Sequence, residues 1–167
     1  LPAYTLAALE TKIKLNQNEN PYEIPADLKE EVLRFALERP WGRYPDFVPD
    51  EFLALLAAHV GWVREGMLAG NGSNELIQAI LAVTCGPGTK VLIVQPTFTL
   101  YKLLSRINGA EVVEVSLRRE DLAYDIPAVC AAIDENEPAV VILCSPNNPT
   151  GSALTLGEWR EVCERAP

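Results

Sequence analysis

Three stretches of the chain put polar or aromatic side chains just beyond apolar runs, where a ligand could be met. The first is LAGNGSNELIQAIL, residues 68–81. Gly70 and Gly72 permit a tight turn, and Ser73-Asn74 opens a helical pattern. Backbone amides at a helix N-terminus, with the helix dipole behind them, suit an anion, and the Ser73 hydroxyl adds a donor. An ordinary helix start after a glycine turn would use the same residues. The stretch is not the nicotinamide fingerprint, because the third glycine of G-x-G-x-x-G is missing, and no G-K-[ST] makes it a P-loop.

The second stretch is QPTFTLY, residues 95–101, which leaves the apolar run KVLIVQ. Phe98 stands just past that run, where its ring could lie on a heteroaromatic ligand or pack in a core. The third is CSPNNPTG, residues 144–151, which follows AVVILC. Prolines fix φ and remove amide donors, and asparagine and glycine accept the backbone angles of tight turns. Such a loop neither extends a strand nor begins a helix at once. It can hold one amide, Asn147 or Asn148, at the carboxyl end of the strand, where open α/β sheets bind ligands. A cis Asn148-Pro149 bond is expected in so tight a turn.

Periodicity supplies the elements that carry these stretches. Residues 1–24 show little periodicity and read as an extended arm; residues 25–167 read as one larger domain. PADLKEEVLRFALERP spaces its apolar residues as a helix does, with Pro25 at its start and Pro40 as its stop. Asp50 is expected to cap EFLALLAAHV, which ends at Gly61. MLAG reads as a short strand and NELIQAILAVTC as a helix. Then KVLIVQ, EVVEVSL and AVVILC read as strands, alternating with the helices TLYKLLSRIN, DIPAVCAAIDEN and TLGEWREVCERA. Thr155 and Glu158 suit a capping box at the last of these. Such alternation implies an α/β fold: a mostly parallel sheet covered by helices.

Composition narrows the function classes. A chain of 167 residues that is 49% hydrophobic and 22% charged suits one soluble domain. A net charge of −9 disfavours nucleic acid or an anionic membrane as partner. One histidine, His59, and four scattered cysteines without a C-x-x-C pair argue against a metal site. Buried free thiols are the expectation for the cysteines, and a packing or surface place for His59. Without a signal peptide or an apolar run of about 18 residues, a cytoplasmic protein is expected.

Two further stretches complete the set: KLNQNENPYEIP at residues 14–25, whose asparagines suit turns, and GRYPD at residues 42–46, with a loop aromatic at Tyr44. Taken in order, KLNQNENPY, RYPD, GNGSNELI, PTFTLY followed by GAEV, and CSPNNPTG resemble the fold-type I aminotransferases that depend on pyridoxal 5'-phosphate. The resemblance spans essentially the whole chain. KLNQNENP with RYPD narrows it to the histidinol-phosphate aminotransferase branch; a threonine-phosphate decarboxylase-like enzyme is the nearest competitor. A non-catalytic module that keeps a phosphate-and-ring pocket, and an unrelated phosphate-binding protein, are the other readings.

The resemblance implies a role for each matching position. Gly72, Ser73 and Asn74 would hold the cofactor phosphate, and Phe98, where relatives often carry tyrosine, would stack on the pyridine ring. Asn148 would hydrogen-bond the cofactor's phenolic oxygen. Tyr44 would reach the phosphate of a neighbouring subunit's cofactor, implying a homodimer with shared sites. Tyr4 and Asn18 match arm positions that close over the substrate. The reaction implied is amino-group transfer between L-histidinol phosphate and 2-oxoglutarate. Relatives carry the lysine that anchors the cofactor, an aspartate and an arginine beyond the NNPTG loop. None of Lys12, Lys14, Lys29, Lys90 and Lys102 stands in a matching context. The chain is therefore expected to be the N-terminal part of such an enzyme, inactive by itself and with apolar sheet edges uncovered.

Overall fold

The computed structural model describes residues 12–166. It divides into two compact units, Leu1–Val48 and Pro49–Pro167.

In the first unit the predicted helix is α1, Ala26–Leu37, which starts behind Pro25. Its end is fixed by side chains: the Trp41 indole N–H donates to the Ala36 carbonyl at 2.7 Å. The Arg39 guanidinium lies 4.3 Å over the Phe35 ring. No residue of α1 is buried, and Leu28, Val32, Leu33 and Phe35 remain exposed. The apolar stripe read from the sequence is present, but no described residue of this unit covers it.

The second unit opens with α2, Asp50–Val60, whose C-terminus is closed by Gly61 in the left-handed region at φ 70°. Asp50 does not cap it. Pro49 occupies the cap position without a side-chain bond, and Asp50, one residue further in, pairs its carboxylate with Arg64 of a short 3-10 turn. A carboxylate in the first turn still complements the helix dipole. MLAG is not a strand: Met67 has extended angles, but no described backbone pairs with residues 67–70. Extended residues become a strand only when a neighbour takes up their hydrogen bonds.

The remaining elements match the predicted alternation. They are α3 (Ser73–Thr84), β1 (Lys90–Gln95), α4 (Leu100–Ile107), β2 (Glu111–Ser116), α5 (Ile126–Asn136), β3 (Val140–Ile142) and α6 (Leu156–Arg165). The sheet is parallel, in the order β2-β1-β3. β1 is therefore central, and its side chains alternate between two apolar layers. Val91 and Ile93 pack with Leu81 of α3 and Leu100 and Leu104 of α4. Leu92 and Val94 pack with Ile126, Val129 and Ile133 of α5 and Val162 of α6. A strand buried on both faces reads as the continuous apolar run KVLIVQ.

Local signals begin the helices. The Asp125 carboxylate accepts from the Ala128 amide at 3.1 Å, with Pro127 in the first turn of α5. Thr155 and Glu158 form the expected capping box of α6. The bonds from Thr155 hold the Glu158 carboxyl below its ordinary value. The four cysteines are free thiols, but only Cys130 is buried, Cys85 and Cys144 are half-buried and Cys163 is exposed. Apolar sequence neighbours do not decide burial, and on α6 the solvent side takes Cys163. His59 is an exposed residue of α2.

Candidate functional site

The topology makes one place in the second unit different from the rest. β1 and β3 are neighbours, yet the chain leaving β1 enters α4 on one face of the sheet. The chain leaving β3 enters α6 on the other. Adjacent strands whose following helices go to opposite faces leave a crevice at their carboxyl ends, the switch point where α/β sheets take ligands. QPTFTLY and CSPNNPTG are the two loops at that crevice.

The structure settles which of the paired asparagines is free. Asn147 is only 4% exposed and its carboxamide is fully committed. Its Nδ2 donates to the Pro96 carbonyl at 2.9 Å and to Thr150 Oγ1 at 2.7 Å. Its Oδ1 accepts from Thr97 Oγ1 at 2.7 Å. Asn148 is half-buried, and no described residue hydrogen-bonds its side chain. The Asn148-Pro149 peptide is cis, as expected, and so are Gln95-Pro96 and Ser145-Pro146.

Phe98 is half-buried and meets Tyr101 edge-on, with ring centroids 5.6 Å apart and planes at 82°. Such edge-to-face contact fixes a ring plane. Ile77 of α3 and Phe98 pack against the same apolar cluster. Ser73, one turn before Ile77, begins α3, and Gly72 precedes it at φ 80°. A Cβ at Gly72 would meet nothing within 4 Å, so open space lies beside these amides. No side chain caps the helix, Ser73 and Asn74 are exposed, and the Glu75 carboxylate turns back to accept from the Asn71 amide.

Below the crevice, Cys144 lies between two tyrosines. The Tyr124 hydroxyl donates to the Cys144 carbonyl. Burial first, then the Cys144 thiol, pushes the Tyr124 phenol up to about 12. The same two causes, in the same order, raise Tyr101 further. An unfolded tyrosine gives up its proton near pH 10, roughly. The folded chain therefore holds a proton that the unfolded chain has lost between about pH 10 and 12. Stability from this group is complete below that window and falls as the pH climbs through it. Urea midpoints measured from pH 8 upward should drop less steeply for Tyr124→Phe than for the parent (range set by the ordinary tyrosine value, about 10). Parallel curves would show that Tyr124 does not contribute to the alkaline loss.

The lysines of this unit are elsewhere. Lys90 begins β1, at the amino end of the central strand and so opposite the crevice, and donates to Asn136 Oδ1 at 3.4 Å. Lys102 pairs with Glu114 across α4 and β2. No grouping of His, Cys, Asp and Glu among the described residues could hold a metal ion. In the first unit, Asn18 is exposed at φ 53°, and Tyr44 is exposed and stacks on Phe47 at 6.5 Å. Tyr4 lies outside the described residues. The sequence does not single out Thr97, Thr150 or Tyr124: Thr97 and Tyr124 meet partners 50 and 20 residues away, and Thr150 matters only through Asn147.

The family model described as aminotransferase class I and II matches residues 10–167. The chain belongs to the class I and II aminotransferases. A histidinol-phosphate aminotransferase of Chlorobaculum tepidum is 40% identical over 157 residues, covering 94% of this chain and 45% of that protein. The histidinol-phosphate aminotransferase of Sinorhizobium meliloti, solved in complex with pyridoxal 5'-phosphate, superposes with a TM-score of 0.76 at 22% identity. That match covers 86% of this chain and 38% of the other. A decarboxylase from Sulfurospirillum multivorans is 29% identical at a TM-score of 0.66, over 82% of this chain and 34% of its own. This aminotransferase chain thus spans less than half the length of curated relatives that it matches. No helix among its described residues is long and apolar enough to cross a membrane.

Proposed function

We propose that the chain is the cofactor-holding part of a cytoplasmic histidinol-phosphate aminotransferase. That enzyme would move an amino group between L-histidinol phosphate and 2-oxoglutarate with pyridoxal 5'-phosphate. The observation that carries this reading is the uncommitted Asn148 carboxamide at a rim whose neighbouring amide, Asn147, is wholly bonded. The group fits the residues present. The space beside Gly72 and the exposed Ser73 hydroxyl suit a phosphate, and the ring plane of Phe98 suits an aromatic face. When bound, the cofactor supplies the electron sink for amino-group transfer.

The chain's own residues then divide the work. Gly72, Ser73 and Asn74 hold the phosphate through helix-end amides and a hydroxyl. Phe98 supports the ring without a hydroxyl of its own. The Asn148 amide donates to the phenolic oxygen and favours its charged form. Tyr44 reaches the phosphate of a second copy's cofactor in a homodimer, and Tyr4 and Asn18 belong to an arm, residues 1–24, that closes over the substrate. Neither Lys90 nor Lys102 stands at the crevice. These 167 residues alone are expected to bind pyridoxal 5'-phosphate without turnover, since none of their five lysines stands in the sequence context of the cofactor-anchoring lysine.

The similarity to a decarboxylase supports a second reading, removal of carbon dioxide from a phosphorylated amino acid such as L-threonine phosphate. One assay separates the two. The product of the complete open reading frame is incubated with pyridoxal 5'-phosphate and each phosphorylated amine, with and without 2-oxoglutarate. Glutamate formed only with L-histidinol phosphate is the expected result. Carbon dioxide from L-threonine phosphate with no glutamate formed would replace the first reading by the second.

A further inference from the structure

We propose that Asn147 is the positioning residue that sets the Phe98 loop and the Asn148 loop to each other. The proposal rests on the cofactor reading above. The sheet cannot do this work. Pairing between β1 and β3 ends at Ile93 and Ile142, before either loop begins. Pro96, Pro146 and Pro149 have no N–H with which to continue a ladder. Among the described residues, the hydrogen bonds that join the segments next to Phe98 and Asn148 are those of the Asn147 side chain to Pro96 and Thr97; the other polar contact between the loops is further back, where the Cys144 thiol meets the Tyr101 hydroxyl.

The geometry gives this link its consequence. Phe98 follows Thr97, and Asn148 follows Asn147, so each ligand-facing side chain is one residue from a bonded partner. Asn147 is also held from within its own loop. Its amide donates to the Ser152 carbonyl and its carbonyl accepts from the Gly151 amide, both at 2.7 Å. A shift of either loop must break a buried bond, and an unmade buried bond is costly. Asn147 thus transmits the position of one loop to the other without touching the ligand.

Two isosteric variants of the 167-residue chain test this. Asn147→Asp keeps the volume but turns an acceptor toward the Pro96 carbonyl. Thr97→Val removes only the reciprocal bond. Amide hydrogen exchange is followed by mass spectrometry, and pyridoxal 5'-phosphate affinity is measured by titration on the same samples. Asn147→Asp should speed exchange about tenfold in residues 96–101 and 145–152 together, leaving α5 unchanged, and weaken the ligand about tenfold or more. Thr97→Val should loosen the same two segments to a smaller degree. Faster exchange in residues 145–152 alone, or unchanged ligand affinity with both loops loosened, overturns the proposal. If Asn147→Asp does not fold, Thr97→Val decides by the same two criteria. If the parent chain binds no pyridoxal 5'-phosphate yet both loops loosen together, the loop coupling stands and the cofactor reading falls.

Discussion

Replacing Asn148 by alanine is expected to weaken the hold on pyridoxal 5'-phosphate by roughly 10- to 100-fold and leave the fold nearly untouched. The ligand effect is large because hydrogen bonds to charged groups contribute about 1.5–3 kcal/mol, more than bonds between neutral groups. The effect on the fold is small because no described residue hydrogen-bonds this side chain, so truncation orphans nothing within the protein. Half-exposed positions of that kind usually change stability by no more than about 0.5 kcal/mol. Asn148→Asp should bind more weakly still, since it sets a carboxylate beside an oxygen that itself carries negative charge. Equilibrium titration of the three proteins, with a urea melt of each, checks both halves. Equal affinities would remove Asn148 from the site.

Leu92→Ala should destabilise the second unit by about 2–5 kcal/mol. Leu92 is completely buried at the middle of the central strand and faces the layer made by α5 and α6. Shortening it removes apolar contacts and leaves a space between rigid elements, and both terms act in the same direction. Against a total of about 5–15 kcal/mol for an ordinary domain, that loss can take most of the fold and the crevice with it. The control is Val83→Ala, on a side chain of α3 that is 84% exposed, expected to shift stability by under about 0.5 kcal/mol. Urea unfolding of both variants gives the comparison. A loss of under about 1 kcal/mol at Leu92 would mean that α5 closes onto the vacated space.

Much of this fold is legible in the amino-acid sequence. KVLIVQ announces a strand buried on both sides, and Thr155 with Glu158 announces the start of α6, because each signal is local. What failed depended on partners. MLAG has the composition of a strand but no neighbour in the described chain, and composition cannot supply one. Asp50 has the residue type of a cap, but Pro49 holds that place, and the nearby Arg64 takes up the carboxylate instead. The site shows the same division. The motif order located the Phe98 and Asn148 loops, and the topology then explained why they share an edge. The two asparagines of PNNP are identical in sequence. They differ because Pro96 and Thr97, 51 and 50 residues away, engage only the first. No local pattern encodes a contact at that distance along the chain.

The order in which the strands occur has a kinetic consequence. Among the described residues the middle strand, β1, is also the earliest, and the three strands come from residues 90–142 through two short crossovers. Each later strand therefore docks on one already synthesised, and loop closure is cheap because the separations are small. Since synthesis runs from the N-terminus, the two loops of the crevice come together on the arrival of β3 and the turn that follows it. The rim therefore forms before α6, whose Val162 closes the apolar layer over Leu92 and Val94, has docked.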